Sequence, residues 1–318
     1  MNWSLHIDRA LPQPLRVILR GAGQVVFCCN AVTGFIVLAA FYAGGVILGL
    51  AATVGVISST VTAYALRFCE DDIDAGLYGF NGTLVGPCLF LFLEQTPQLW
   101  LYIVLASMLS SIVWVTLARI LQNFKIPAAT SPFVLTSWLF LITIYAFDSY
   151  ARPALPAAST QTTAIEIGAI PIETWFSALA RSLSQVILTD SILAGGLLLM
   201  GIAIASLRGA LMAIGGAIIG VVLPALIGIS QEVIEIGLYG FNPVLTMIAV
   251  GWVFLEPTAK SAALAVLAGI LAVLCQAVLS SLLTPMGLPV LASPFILTLW
   301  VVLFIASKSR YWFSAAMS

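Results

Sequence analysis

Charge is what this chain has least of. Only 8% of its 318 residues are charged and 61% are hydrophobic, whereas a soluble domain carries about 25% charged residues. A soluble domain so poor in charge would expose large apolar patches and aggregate. The solvent around most of the protein is therefore lipid. A net charge of −1 argues against nucleic acid or another polyanion as a partner. Histidine is nearly absent: the single one is His6, close to the N-terminus. The five cysteines, Cys28, Cys29, Cys69, Cys88 and Cys275, have neither zinc-like nor disulfide-like spacing and read as small apolar fillers. The acids are scattered, and no nucleophile stands with a base or a metal cluster. The chain is read as a non-enzyme without a cofactor.

What is abundant is uncharged length. A membrane helix needs about 20 apolar residues to cross ~30 Å of hydrocarbon. Between Arg20 and Arg67 there is room for two spans, and residues 261–307 offer room for two more. The runs 95–118, 126–147, 191–207, 209–231 and 236–255 each hold a span or part of one. The segment Met1 to Arg20 carries Arg9, Arg16 and Arg20 with Pro12 and Pro14. It lacks the apolar stretch of a signal peptide and reads as a tail.

The chain repeats itself. Gly76-Leu77-Tyr78-Gly79-Phe80-Asn81 recurs letter for letter as Gly237-Leu238-Tyr239-Gly240-Phe241-Asn242, an offset of 161. At that offset or one more, Arg20 matches Arg181, Gln24-Val25 matches Gln185-Val186, and Glu94 matches Glu256. Pro127 likewise matches Pro289, and Ser131-Pro132-Phe133 matches Ser293-Pro294-Phe295. Apolar bias alone does not keep dispersed matches in one register, so a duplication is inferred.

Charge bias orients the halves. The N-terminal tail has three Arg against Asp8, and the C-terminus has Lys308 and Arg310 without an acid. The connection from Asp148 to Glu173 carries Asp148, Glu166 and Glu173 against Arg152. Basic segments stay cytoplasmic, so both termini are expected inside and the middle outside. Each half then crosses an odd number of times, five by the uncharged runs, and the repeats are inverted. Inverted repeats place a substrate path at their shared axis near the midplane, walled by broken helices. Two breaks recur in each half: Gly-Phe-Asn, and the double-proline segments 126–133 and 288–295. Two prolines five apart do not share an undisturbed helix. Broken backbone in a bilayer survives where protein or a watery cavity satisfies it. The segments are either kinked packing helices or pore walls with bare carbonyls, and recurrence favours walls.

These residues resemble the urea transporter family. The resemblance rests on the Arg-Gly-x-x-Gln-Val-Val-Phe opening (Arg20 to Phe27), the two Leu-Tyr-Gly-Phe-Asn motifs, and the paired Leu-Pro-x-x-Thr-x-Pro-Phe signatures. It covers about residues 15 to 307. It implies an all-α integral membrane fold of ten transmembrane helices plus two re-entrant half-helices in two inverted five-helix repeats. It also implies a homotrimer with one pore per protomer and downhill, channel-like passage of urea. The expected organisation is a cytoplasmic tail (1–19), a first repeat (20–150), an external connection (151–180), a second repeat (181–307) and a cytoplasmic tail (308–318), in an inner or plasma membrane.

By this resemblance Gln24 and Gln185 match the polar residues at the outer and inner binding positions. Phe27 and Phe80 match the phenyl pair of one constriction, and Phe241 the ring of the other, with Leu188 standing where Phe27 would repeat. Leu84 and Leu245 match apolar wall positions, and Thr130 the threonine at the central site. Ala292 stands where the family has a second threonine, which removes one hydroxyl from the waist. Asp190-Ser191 stands where the family often has Asn-Pro.

The chemistry agrees independently. Urea is flat, neutral and polar, and stripping an amide of water without replacement costs roughly 2–7 kcal/mol. Its path needs acceptors, apolar faces and no fixed charge. Carbonyls at the breaks, the Phe rings and the Gln amides are the candidates.

Other readings stay beside these. A membrane Gln is more often a helix–helix hydrogen bond, and a membrane Phe more often packs or faces lipid. Glu94 and Glu256 are either proton-coupling carboxylates or interfacial caps, and with Asp190 they keep a proton-coupled transporter open. A channel for short-chain amides or ammonia is a further alternative, although an ammonia channel needs pore histidines. An aquaporin needs two Asn-Pro-Ala boxes, and only Asn242-Pro243-Val244 approaches one. Asp71, Asp72 and Asp74 read as a solvated acidic loop. Asn81-Gly82-Thr83 is formally a glycosylation sequon, discounted at membrane depth.

Overall fold

The computed structural model describes residues 2–147 and 172–308. Most of the expected external connection, and the tail beyond Lys308, lie outside the described residues. The first stretch forms α1 (Asn2–Ala10), α2 (Gln13–Gly23), α3 (Ala31–Gly44), α4 (Val46–Ala65), α5 (Glu70–Asp74), α6 (Gly79–Phe92), α7 (Pro97–Leu121) and α8 (Ser131–Phe147). The second forms α9 (Ile172–Ser184), α10 (Ile192–Ala205), α11 (Leu207–Leu226), α12 (Gln231–Glu235), α13 (Phe241–Ile248), α14 (Ala259–Leu283) and α15 (Ser293–Ser307). No strand occurs among the described residues.

The boundaries of α9–α15 follow those of α2–α8 at an offset of 161 or 162, to within about two residues, except that α13 ends at Ile248, five residues short of the counterpart of Phe92. The rarest backbone conformations follow the same register. Left-handed residues pair as Phe27 with Leu188, Arg67 with Gly228, Gly76 with Gly237, Lys125 with Gly287, and Ala129 with Leu291. Eight of these ten close a helix by the Schellman arrangement. Around Phe27, for example, Phe27 N–H donates to Gln24 O at 3.0 Å and Cys28 N–H to Gly23 O at 3.0 Å. Gly76 and Gly237 are glycines for a second reason. A Cβ on either would run into a backbone nitrogen, that of Gly21 or of Ser182.

Four helices are long and apolar enough to cross a membrane: Val46–Ala65, Pro97–Phe124, Leu207–Leu226 and Ala259–Met286. Two pairs, Gln13–Val26 with Ala31–Gly44 and Glu173–Ile187 with Ile192–Ala205, are each bent by 72° and make six spans if each pair counts once. Gly79–Phe92, Ser131–Ala146, Phe241–Val253 and Ser293–Ser307 are shorter apolar helices. Leu101, Leu105 and Ile112 on α7 and Leu267, Leu274 and Val278 on α14 are exposed, as a lipid solvent permits.

The described chain divides into two compact units. One is Met1–Ile120, Ala128–Pro153 and Met200–Ser206; the other is Leu121–Pro127, Ala154–Leu199 and Leu207–Ser318. In the first, α4 and α6 pack closely because Gly55 faces the carbonyl of Gly82 and Gly86 that of Ala51. Small residues at a membrane interface let backbones approach and gain dispersion contacts. Thr33 Oγ1 donates to Gly201 O at 3.0 Å and ties the short segment 200–206 into this unit. In the second unit, Gly216 and Gly220 on α11 face the backbone of Pro243, Val244 and Gly240. Trp300 Nε1 donates to Pro127 O at 2.9 Å and ties in segment 121–127.

The halves differ after Ile248. Where α6 stays α-helical to Phe92, α13 passes into a π turn over Ala249–Val253. Arg208 accompanies it, donating from Nε to Gly251 O at 2.8 Å, from Nη1 to Pro257 O at 2.7 Å and from Nη2 to Thr258 O at 2.6 Å. Gly251 O lies in the π turn and Pro257 O and Thr258 O in the link before α14, so one guanidinium with five donors ties the turn to the start of α14.

Candidate functional site

The duplicated motifs are not breaks inside helices. Gly79 opens α6 and Phe241 opens α13. Pro127 and Pro289 lie in the links before α8 and α15, while Pro132 and Pro294 sit in the first turns of those helices, where a missing N–H leaves nothing unpaired. The two motifs meet within each half. Asn81 Oδ1 accepts the N–H of Phe133 at 3.0 Å, and Asn242 Oδ1 accepts that of Phe295 at 3.1 Å. Each asparagine thus satisfies one of the orphan donors at a helix start. Asn242 Nδ2 further donates to Gln276 Oε1 at 2.5 Å and to Leu291 O at 3.2 Å. Asn81 Nδ2 is buried without a partner.

The carbonyls expected to be bare are partly occupied. Ala128 O accepts from Ser131 Oγ at 2.6 Å and Val290 O from Ser293 Oγ at 2.6 Å. Pro127 O accepts from Trp300, and Leu291 O from Asn242. A side chain or indole within reach fills an acceptor that sequence position alone leaves open.

The glutamines are placed alike. Each begins a single 3-10 turn, Gln24–Val26 or Gln185–Ile187, that ends the preceding helix. Gln24 Nε2 donates to Ala75 O at 2.9 Å, and Gln185 Nε2 to Ile236 O at 2.9 Å. A backbone carbonyl must be met by the NH2 end of an amide, so each bond leaves Oε1 as the acceptor end of the side chain. Both residues are half-buried. Three positions on, Phe27 and Leu188 are half-buried with φ of 62° and 58°. The left-handed region costs a side chain roughly 1–2 kcal/mol, and glycine is the usual occupant of this cap. That both halves retain a large apolar side chain there points to a use for it.

Phe80, Phe241, Leu84, Leu245, Thr130 and Ala292 are all buried. Phe80 and Leu84 lie one turn apart on α6, as do Phe241 and Leu245 on α13. Thr130 Oγ1 is buried without a partner just before α8, and Ala292 is its counterpart before α15. Two residues escaped sequence reasoning. Thr136 and Thr298, offset by 162, both bury a hydroxyl without a partner. A threonine repeated in register, inside the signature helices, was the signal available.

The charged candidates behave differently. Glu94 and Glu256 are exposed in the links before α7 and α14. The acidic stretch is a short helix, α5, and not a loop; it stays largely exposed, and Asp74 pairs with Arg16 at 2.9 Å and Arg20 at 2.7 Å. Two arginines on α2 thus pair with one of its three aspartates at a partly exposed position. Asp190 pairs with Arg181 at 2.9 Å, with the N–H pointing off the line. A cavity of about 280 Å³ is lined by Gln122, Lys125, Ile126, Pro127 and Phe254, none of them a predicted site residue. No cluster of three metal-ligating side chains occurs among the described residues.

The profile of the urea transporter family matches residues 15–307. The chain belongs to the urea transporter family. It is 29% identical to urea transporter 1 of Ovis aries over 319 aligned residues, covering 97% of this chain and 81% of the relative. Against urea transporter 1 of Mus musculus it is 28% identical over 314, with the same coverage. Membership makes it a membrane transporter of urea and not an enzyme. The motifs that carry the family resemblance are those whose side chains and backbones meet around Gln24 and Phe133 in one half, and around Gln185 and Phe295 in the other.

Proposed function

We propose that the protein is a channel-like, passive urea transporter. The reading includes ten membrane helices with two re-entrant half-helices, inverted repeats, both termini cytoplasmic, a homotrimer and an inner or plasma membrane. The observation that carries it is the twice-built turn in which a carbonyl fixes a Gln amide and a left-handed residue follows. Ala75 O and Ile236 O hold the NH2 ends, so Gln24 and Gln185 each offer one neutral, oriented acceptor to a urea N–H. Oriented acceptors replace lost water without reorganising at the moment of passage. A neutral acceptor, unlike a carboxylate, does not trap cations.

The remaining roles follow from shape and polarity. Phe27 and Phe80 flank the flat faces of urea at one position; Leu188 and Phe241 do so at the other. Leu84 and Leu245 keep the walls apolar. Thr130 offers a hydroxyl at the waist, and Ala292, which repeats its position, offers none. Exposure of Glu94 and Glu256 supports passage without proton coupling, because a coupling carboxylate must be shielded along the path.

The test is stopped-flow light scattering on proteoliposomes given an inward urea gradient at several pH values with no ion gradient. Rapid, pH-insensitive urea entry, absent from empty liposomes, is expected. Entry that requires a proton or sodium gradient overturns the passive reading.

A further inference from the structure

Behind each glutamine stands an arginine that holds the same short segment. Arg20 Nη1 donates to Asp74 O at 2.8 Å, one residue before the Ala75 carbonyl that fixes Gln24. Arg181 Nη1 donates to Glu235 O at 3.2 Å, one residue before the Ile236 carbonyl that fixes Gln185. The halves neutralise these arginines differently. Arg181 meets Asp190, which lies in the link between α9 and α10. The position of Asp190 in the first half, 161 residues earlier, is held by Cys29, an exposed and uncharged thiol. There the anion comes from α1. Asp8 is buried; its Oδ1 accepts from Arg20 Nε at 3.1 Å and its Oδ2 from Arg20 Nη2 at 2.5 Å. Its Oδ1 also accepts the N–H of Ala31 at 2.7 Å, the first residue of α3.

We infer that Asp8 is a positioning residue for urea binding: α1 is a strap whose carboxylate does for Arg20 what Asp190 does for Arg181. The chain of contacts runs from Asp8 through Arg20 to the Asp74–Ala75 backbone and so to the amide of Gln24. Arg16 and Arg20 together face Asp8 and Asp74, so two cations meet two anions. Removing one carboxylate leaves a partly buried guanidinium short of a partner, which strongly favours its displacement. Arg20 then releases or tilts Asp74 O, and the Gln24 acceptor moves with Ala75 O. Displacements on the order of 1 Å are enough to matter where hydrogen bonds replace a hydration shell. Asp8 itself touches no substrate in this scheme.

The inference rests on the proposed role of Gln24, and the experiment separates the two. Full-length Asp8→Asn, Asp8→Asn/Cys29→Asp and Gln24→Ala are reconstituted. Urea influx is measured over a range of urea concentrations, with the thermal midpoint of each variant in detergent. The Asp8→Asn substitution keeps the size of the side chain and an acceptor for Ala31 N–H but removes the charge. We expect Asp8→Asn to raise the half-saturating urea concentration by about tenfold while the maximal flux changes little. Cys29→Asp in that background should restore the wild-type value, since it puts the carboxylate where the second half has it. Wild-type half-saturation in Asp8→Asn, or a loss that Cys29→Asp does not restore, overturns the inference. If Asp8→Asn does not fold, the double variant decides: wild-type transport supports the strap, and misfolding overturns it. Wild-type flux in Gln24→Ala sinks the role of Gln24 itself. Impaired Gln24→Ala beside unaffected Asp8→Asn sinks only the strap.

Discussion

Asn81 Oδ1 holds the backbone N–H of Phe133 at 3.0 Å, which joins the two motifs of the first repeat across 52 residues. Its counterpart Asn242 makes the same bond to Phe295 and adds two from Nδ2, whereas Asn81 Nδ2 has none. A buried hydrogen bond contributes about 0.5–1.5 kcal/mol, and an orphaned partner costs more. Asn242→Ala is therefore expected to lower the thermal midpoint further than Asn81→Ala, because it also strands Gln276 and Leu291 O. Equal losses in the two variants would contradict this.

Gln24→Ala removes an oriented acceptor, and should lower urea flux about tenfold while the protein stays monodisperse. Phe27→Gly should lower flux with little change in thermal midpoint. Relief of the left-handed side chain, roughly 1 kcal/mol, offsets the loss of a half-buried ring. Wild-type flux in both variants would remove this turn from the path.

Ala292→Thr puts a hydroxyl at the position that repeats Thr130, 162 residues on. Ala292 is buried with φ −85° and ψ 14°, in the sparsely populated bridge region but free of the left-handed strain that a branched side chain resists most. The variant should fold and lower the half-saturating urea concentration. Misfolding, or influx indistinguishable from wild type over the whole concentration range, would place the waist elsewhere.

Stability should depend on acid through Asp8 and Asp74. Burial pushes the Asp8 carboxyl up, but hydrogen bonds from Arg20 and the Ala31 amide, with the charges of Arg20 and Arg16, outweigh it and hold it below the ordinary carboxylate range. Burial likewise pushes Asp74 up, and the hydrogen bond from Arg16 with the charges of Arg20 and Arg16 brings it below. Carboxyls depressed in the folded state stabilise fully above the unfolded value of ~3.9 and lose that contribution as pH falls through the folded value. The thermal midpoint should be level from about pH 7 to 5 and drop below about pH 4. Asp8→Asn should be less stable at neutral pH and show a shallower acid drop. An unchanged acid slope in that variant would mean Asp8 is not among the titrating groups.

Much of the architecture was legible in the order of residues. Low charge and long uncharged runs required lipid, since no soluble core disposes of so much apolar surface. The helices and left-handed residues recur at the same 161 to 162 register as the sequence matches, because local conformation follows local sequence. It also marked Gln24 with Gln185, and Phe80 with Phe241, as equivalent positions. What register does not reveal is which donor meets which acceptor. Asp74 read as a solvated acid, and nothing in the sequence named Arg16 and Arg20 as its partners within 2.9 Å. The carbonyls of Ala128, Val290 and Leu291 read as bare until Ser131, Ser293 and Asn242 filled them.

By itself, then, the sequence determined the solvent, the helices and their duplication, because hydrophobicity and backbone preference are properties of short segments. The tertiary structure alone decided that Gln24 and Gln185 commit their amide NH2 ends to Ala75 O and Ile236 O and that Arg20 and Arg181 take their anions from different places. It also decided that Asn81 keeps an unpaired amide where Asn242 does not. Each of these depends on a hydrogen bond between residues far apart in the chain, and such a bond exists only once folding has set its distance and its angle.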